Sequence, residues 1–219
     1  MDGKMVQRAD KLAFYGVKGE EDAIVSDSLV TQVFEGKDAF VQMLKHSYIT
    51  GFANDKIYRK SLFTDNDIQF PIGKYYEDLG TNYKLFLSAK KVYATNQKYY
   101  HYLIDNPDSI TQSWNERKFS DMFEFYKDIF YSDFVRSRLN QEELQISQLY
   151  YVNGLIHILA SLYKSKLDKK YIDITNQVKQ ELLKNSVSLS RMKNQPNKLK
   201  YILFRLKVLK LAFSIQNIF

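Results

Sequence analysis

Two adjacent carboxylates, Glu77 and Asp78, have the chemical type and the position to act in catalysis. They follow Pro71 and Gly73 and open a run whose apolar residues recur at helical spacing, namely Leu79, Tyr83, Phe86 and Leu87. A carboxylate in the first turn of a helix lies near the positive end of the helix dipole, so we expect it to stay ionised at the rim of the fold. There it can act as a general base toward a hydroxyl. Acidic first turns also serve helix stability alone, and the pair by itself leaves both interpretations open.

The acidic pair lies in the middle one of three ordered blocks of sequence. The blocks are 51–63 (GFANDKIYRKSLF), 70–87 (FPIGKYYEDLGTNYKLFL) and 99–111 (YYHYLIDNPDSIT). In order and spacing they resemble family 2 glycosyltransferases of the GT-A fold, over roughly residues 10–115. Those enzymes have a Trp-Asn-Lys-Leu-Tyr block, then an acidic pair, then an aromatic run with an Asn-Pro-x-Ser-Ile turn. The first block here departs from that pattern, because it has no Trp and has one extra residue.

The resemblance implies inverting transfer of a sugar from a nucleotide-sugar donor to a glycan or lipid-linked acceptor, in surface polysaccharide synthesis. Asp78 would take the proton of the acceptor hydroxyl, and Glu77 would orient the acceptor. The substrate-binding residues implied are Lys56, Tyr75, Tyr76, Tyr100 and Tyr102. The tyrosines would wall the site. By their charge, Lys56 and Arg59 would meet a phosphate of the donor or acceptor. A solvated charge on a helix is the other interpretation of Lys56.

Enzymes of this family hold a divalent metal, Mn²⁺ or Mg²⁺, on the nucleotide diphosphate, and the resemblance implies the same cofactor for the intact enzyme. We expect this chain to lack the Asp-x-Asp that binds the metal in the family, because the resemblance begins after the point where that motif would stand. Some GT-A enzymes also place a late His on the metal, which makes His101 a candidate ligand; a packed or surface imidazole is the alternative. We therefore expect the acceptor-side half of such an enzyme. Two interpretations stay open: a truncated gene product, or one half of a split enzyme whose separate N-terminal half supplies the donor site.

The elements that must position these residues are mostly helical. The fold class expected is an α/β, GT-A-like fragment that is mostly α, with a few short strands followed by a C-terminal helical extension. Periodicity predicts strands at 11–17, 91–95 and 98–103, and helices at 36–46, 54–63, 117–131, 141–163, 168–183 and 198–219. The domains expected are a catalytic portion at 1–115, a helical extension at 116–195 and a basic amphipathic helix at 196–219.

Composition limits the classes of site that this chain can hold. None of its 219 residues is cysteine, which excludes disulfides, zinc–thiolate sites and thiol nucleophiles, and favours a reducing compartment. No apolar run reaches the roughly 18 residues of a membrane span, and the first residues lack the apolar segment of a signal peptide. We therefore expect a cytoplasmic protein.

The net charge of +7 belongs to the C-terminal tail. No acidic residue follows Glu181, whereas eight basic residues do: Lys184, Arg191, Lys193, Lys198, Lys200, Arg205, Lys207 and Lys210. The apolar face of the last predicted helix holds Leu199, Ile202, Leu203, Leu206, Leu209 and Phe213. A basic amphipathic helix favours an anionic membrane surface, here the inner face of the cell membrane. The alternative is a terminal helix docked on the core with its basic face exposed.

Two other functions compete with sugar transfer. The first is a non-catalytic helical protein that acts at a membrane surface or binds other proteins, which accounts for the tail without the acidic pair. The second is nucleic-acid binding through the same basic residues. We do not expect a nucleic-acid partner, because no recognisable nucleic-acid-binding motif accompanies the tail.

Overall fold

The computed structural model describes residues 5–7, 31–95, 101–103 and 113–214, with the backbone alone at 5–7, 31 and 101–103. Over these residues the protein is mostly helical and has a few short strands, as the sequence predicts. It divides into two units. The first comprises Met1–Ile72 and Glu77–Ser113, and the second comprises Gly73–Tyr76 and Trp114–Phe219.

The first unit is built from short strands and three described helices. They are β1 (Met5–Gln7), β2 (Thr31–Glu35), α1 (Gly36–Leu44), α2 (Lys60–Thr64), α3 (Glu77–Ser88), β3 (Lys91–Thr95) and β4 (His101–Leu103). β1 pairs with β4, and β2 pairs with β3 in the register that sets Val33 opposite Tyr93; both pairs are antiparallel. α1 packs against α3 and the β2–β3 pair. The apolar core there includes Ala39, Phe40, Met43, Leu44, Tyr83, Leu85, Phe86 and Ala94.

A glycine sets how closely α1 approaches α3. A Cβ at Gly36 would lie 2.1 Å from the carbonyl oxygen of Ala89 and 2.2 Å from that of Phe86. Both atoms belong to the backbone and cannot move aside, so only glycine fits at the start of α1. α1 ends at Leu44, two residues before the predicted end, and His46 follows with a φ of 51°. A left-handed residue of this kind cannot continue a right-handed helix.

Residues 54–63 are helical only over α2, so the prediction of a helix along the whole segment was wrong for 54–59. The reason is local: the side chains of Asp55 and Lys56 bond to Thr50 and to the backbone of Phe52. These side-chain bonds offer the loop an alternative to the helical backbone pattern. The strand predicted at 91–95 is confirmed as β3. The one predicted at 11–17 lies outside the described residues, as do residues 98–100 of the last predicted strand.

The second unit is a set of helices around α6. They are α4 (Glu116–Tyr131), α5 (Asp133–Arg136), α6 (Gln141–Lys164), α7 (Ile172–Lys184), α8 (Lys198–Arg205) and α9 (Leu209–Ser214). α6 begins with a capping box, in which Asn140 and Glu143 satisfy each other's backbone N–H groups. It packs against α4, α7, α8 and α9. Its fully buried side chains form the core: Tyr151, Val152, Leu155, Ile156, Ile158, Leu159 and Leu162.

The predicted helices at 117–131, 141–163 and 168–183 are confirmed as α4, α6 and α7, with small shifts at their ends. α7 begins at Ile172 because residues 168–171 form a turn first, and Tyr171 has the non-helical dihedrals φ −111° and ψ 58°. Thr175 then fixes the turn, since its hydroxyl donates to the carbonyl oxygens of Asp168 and Tyr171 at 3.1 and 2.8 Å.

Residues 198–214 of the tail form two helices, whereas a single helix was predicted over 198–219. α8 and α9 are separated by residues 206–208, and Lys207 has a left-handed φ of 60°. Tyr201 on α8 and Leu209 and Ala212 on α9 are buried. Each of the two short helices thus has at least one buried side chain of its own, on either side of the left-handed residue. Residues 215–219 lie outside the described part, and no described helix is long and apolar enough to cross a bilayer.

Candidate functional site

Glu77 and Asp78 are the first two residues of α3, as predicted. Glu77 is exposed, whereas Asp78 is partly buried. The Oδ1 atom of Asp78 accepts a hydrogen bond from the backbone N–H of Leu79 at 2.8 Å. The preceding residue, Tyr76, has a φ of 59°, a conformation that is costly for a bulky side chain. The chain therefore enters α3 through a strained residue directly before the acidic pair.

A polar cluster in the first unit surrounds Lys56, and we call it the Lys56 cluster: Thr50, Asp55, Lys56, Tyr58 and Asn82. The ammonium of Lys56 donates to Asp55 Oδ1 at 2.5 Å, to Thr50 Oγ1 at 2.8 Å and to the carbonyl of Phe52 at 2.6 Å. The Thr50 hydroxyl donates to the other oxygen of Asp55 at 2.6 Å. The Asp55 side chain is completely buried and that of Lys56 is 13% exposed. A buried carboxylate of this kind depends on its cation and hydrogen bonds.

Asn82 on α3 forms hydrogen bonds to the loop that precedes α2. The Tyr58 hydroxyl donates to Asn82 Oδ1 at 2.7 Å, and Asn82 Nδ2 donates to the carbonyl of Gly51 at 2.6 Å. Asn82 comes four residues after Asp78, so the two side chains lie on the same face of α3, one turn apart. The loop that carries Lys56 and Tyr58 is therefore fastened to the face that carries Asp78.

The charges of Asp55, Lys56 and Asp78 affect the pKa values of their neighbours. Burial raises the pKa of Asp78; the charge of Glu77 raises it further, while the N–H of Leu79 and the charge of Lys56 lower it. Burial lowers the pKa of Lys56, against the charges of Asp55 and Asp78. The pKa of Tyr58 is raised by burial and then by the charges of Asp55 and Asp78. The first-turn position alone led us to expect an ionised Asp78; burial opposes this and moves the carboxyl toward the range of a general base.

Lys56 uses all three of its N–H groups inside the cluster. It is neither a solvated charge nor a helical residue, because its side chain is nearly buried and the residue precedes α2. In this geometry it holds the loop together and acts on Asp78 through its charge. A contact with a substrate phosphate stays a prediction.

Tyr75 and Tyr76 belong to the segment 73–76 of the second unit. The N–H of Tyr75 donates to Asp121 Oδ2 at 3.0 Å, and the Lys118 ammonium lies 5.1 Å from the centre of the Tyr75 ring. Asp121 is buried and also pairs with Lys74 at 2.9 Å. These contacts fix the segment on α4. Their role in binding an acceptor stays a prediction, as Glu77's role does.

The remaining predicted site residues lie at or beyond the limits of the described structure. Tyr100 is outside the described residues. His101 and Tyr102 lie in β4, opposite Gln7 and Val6, and their side chains are not described. Within the described part of the chain, no three His, Asp or Glu side chains come together as a possible metal-binding group. We therefore derive no step through a metal.

An Asp-x-Asp triplet does occur later in the chain, at Asp65–Asn66–Asp67, and sequence reasoning passed over it. It follows α2 in a turn whose three side chains are exposed, and Asp67 has a φ of 50°. Asp65 accepts a hydrogen bond from the Thr64 hydroxyl at 3.1 Å. The triplet comes after the first resembling block, so it is not at the place where the family carries its metal-binding motif.

The second unit has an open hollow of about 360 Å³ between α4 and α7. It is lined by Glu116, Ser120, Phe123, Glu124, Lys127, Asp128, Asp173, Ile174 and Gln177. None of the predicted site residues is among these. The hollow is acidic, and no buried polar group without a partner points to a ligand there.

Sequence reasoning missed most of the Lys56 cluster. Of its five residues, only Lys56 was named as a site residue, and Thr50, Asp55, Tyr58 and Asn82 were not. The adjacent Asp55 and Lys56 gave a local signal, whereas the bond from Tyr58 to Asn82 spans 24 residues and gave none. Comparison of the chain with protein-family models, with curated proteins and with solved structures gave no match.

Proposed function

We propose that this chain is the acceptor-side half of an inverting, GT-A-like glycosyltransferase, with Asp78 as its general base. The observation that carries the proposal is the state of Asp78: a partly buried carboxyl at a helix start, with its pKa raised and with Lys56 and Tyr58 coupled to it. Perturbed acids of this kind occur more often at functional sites than elsewhere. The three ordered sequence blocks supply the reaction class.

The reaction needs one proton acceptor. The acceptor hydroxyl oxygen attacks the anomeric carbon from the side opposite the nucleoside diphosphate. The new carbon–oxygen bond forms as the bond to the diphosphate breaks, and the hydroxyl proton passes to the Asp78 carboxylate. Water then takes that proton, which restores the base. A carboxylate whose pKa lies closer to neutrality holds the proton better during the transfer than an ordinary surface aspartate does.

Lys56 keeps this base usable. Burial and Glu77 raise the pKa of Asp78, and an excessive shift would leave the carboxyl protonated and inactive near neutral pH. The Lys56 ammonium opposes that shift, and its own place is fixed by Asp55 and Thr50. Lys56 is therefore a positioning residue, which acts through Asp78 and not on the sugar.

The donor would be bound elsewhere in the intact enzyme. The resemblance assigns the nucleotide sugar and its Mn²⁺ or Mg²⁺ to a separate N-terminal half. The metal would neutralise the leaving diphosphate there. The acceptor, a glycan or a lipid-linked sugar, would meet Asp78 on the present chain.

The test measures nucleoside diphosphate release from UDP-sugars with Mn²⁺ and an oligosaccharide acceptor, for the chain alone and fused to the nucleotide-binding half of a GT-A enzyme. We expect release from the fusion and little from the chain alone. Asp78→Asn should lower the rate about 100-fold or more, the usual size of a lost general base. Exposed Asp65→Asn is the matched control and should keep the rate. A fusion that turns over equally well with Asp78→Asn would remove Asp78 from the mechanism.

A further inference from the structure

The joint between α8 and α9 exposes apolar side chains. Leu199 is 54% exposed, Leu206 65%, Val208 36% and Leu211 59%. The predicted single apolar face is thus divided, because Leu209 is buried while Leu199 and Leu206 face outward. Leu199 lies in the first turn of α8, Leu206 directly follows the last residue of α8, and Val208 and Leu211 follow within five residues. Exposed leucines grouped in this way indicate a surface that meets something apolar.

The tail is nonetheless fastened to the second unit. The buried hydroxyl of Tyr201 accepts from the N–H of Val187 and donates to its carbonyl, both at 2.9 Å. Lys210 forms an ion pair with Asp168. Leu209 and Ala212 are buried beside these anchors, and α9 packs on α6. The leucines are therefore exposed even though α8 and α9 are already packed on the second unit.

The same joint is cationic. Arg205 and Lys207 are exposed on either side of Leu206, and Lys207 occupies the turn itself. No acidic residue follows Glu181 in the sequence, so nothing in the tail neutralises them. Basic residues interleaved with exposed leucines match the two parts of an anionic bilayer surface, its phosphates and its acyl chains.

We infer that the α8–α9 joint docks on an anionic lipid bilayer, with Leu206, Val208 and Leu211 entering the headgroup region and Arg205 and Lys207 against lipid phosphates. A second copy of the same surface is disfavoured because its positive charges repel. Single-stranded nucleic acid matches the charges but not the leucines, since it stacks on aromatic side chains. The inference does not depend on sugar transfer.

Vesicle flotation of the full chain tests this inference. Vesicles of phosphatidylcholine alone are compared with vesicles that also contain phosphatidylglycerol, at low and high salt. We expect binding to the anionic vesicles only, weakening as salt rises. Arg205→Gln with Lys207→Gln should weaken binding about 25-fold, since each basic residue near the surface contributes roughly a factor of five. Leu206→Gln with Leu211→Gln should weaken it about ten-fold at either salt concentration.

Matched variants elsewhere in the second unit are the controls. Leu183 and Leu189 are 67% and 50% exposed, and Lys169 and Lys170 are exposed as well. Changing either pair to Gln should leave vesicle binding within about two-fold, because those residues lie outside the joint. Circular dichroism checks that every variant is folded.

Three results would overturn the inference. The first is equal binding to neutral and anionic vesicles. The second is a loss in the control pairs as large as in the joint variants. The third is retention on single-stranded DNA without flotation on anionic vesicles, which would identify the basic residues as a nucleic-acid surface.

Discussion

At the scale of single residues, Asp78 shows two opposing effects. Its place in the first turn of α3 and its hydrogen bond from Leu79 stabilise the ionised carboxylate. Burial stabilises the neutral acid instead and is the largest influence on its pKa. Ionising this partly buried carboxyl costs stability. The placement of Asp78 near the buried Lys56 is therefore more readily explained by function than by stability.

Asp78→Asn should stabilise the first unit near neutral pH. The folded protein binds the Asp78 proton more tightly than the unfolded chain, so the wild type loses stability as the pH rises above the ordinary value of 3.8. Asparagine has no charge to desolvate and can still accept from Leu79. We expect a gain of about 0.5–1 kcal/mol at pH ~7 that disappears near pH ~4, measured by urea unfolding at both pH values.

Glu77→Gln is the control for this comparison. Glu77 is exposed, so its substitution should change the free energy of unfolding by no more than about 0.5 kcal/mol. If Asp78→Asn were destabilising at neutral pH, burial would not be the main influence on Asp78, and the argument for a perturbed base would fail with it.

Lys56→Met should be strongly destabilising, because it leaves the fully buried Asp55 carboxylate without its cation. The loss expected is about 3 kcal/mol in urea unfolding, the size found when one partner of a buried pair is removed. Lys60→Met, at an exposed position, should cost less than about 0.5 kcal/mol.

The double variant Asp55→Asn with Lys56→Met tests whether Asp55 and Lys56 stabilise the fold as a pair. It should recover part of the stability that Lys56→Met loses, since no charge then stays buried without a partner. Losses that simply add would mean that Asp55 and Lys56 contribute independently and do not act as a pair.

At the scale of elements, glycine sets how closely two helices approach each other. Side-chain hydrogen bonds set the conformation of a loop. A Cβ at Gly154 on α6 would lie 2.5 Å from the ring of Tyr126 on α4. The loop before α2 is not helical because Asp55 and Lys56 bond across it to Thr50. At both places, packing and side-chain contacts override the local helix preference of the sequence.

Gly154→Ala tests the first of these statements. In an unconstrained helix interior this change gains about 1 kcal/mol. Here we expect the sign to reverse, with a loss of about 1–3 kcal/mol in thermal or urea unfolding, because the Tyr126 ring must move. In a Tyr126→Leu background the smaller side chain should relieve the contact, so the same glycine substitution should cost much less. An unchanged cost there would show that Tyr126 is not the obstacle.

At the scale of the whole molecule, the two proposals belong to different units. Asp78 and the Lys56 cluster are in the first unit, whereas α8 and α9 are in the second. The charge is distributed just as unevenly, since the tail after Glu181 holds eight basic residues in a chain of net charge +7. Loss of vesicle binding and loss of sugar transfer are therefore separate outcomes, and neither experiment decides the other.

The sequence by itself determined most helices, the strand at 91–95, the start of α3 at the acidic pair and the basic tail. Periodicity, helix capping and charge runs act between near neighbours in the chain, so they can be recognised without the fold. Only the tertiary structure decided the burial of Asp78, the Lys56 cluster and the division of the tail at Lys207. Desolvation, and a bond such as that from Tyr58 to Asn82, come into being only when distant segments pack together.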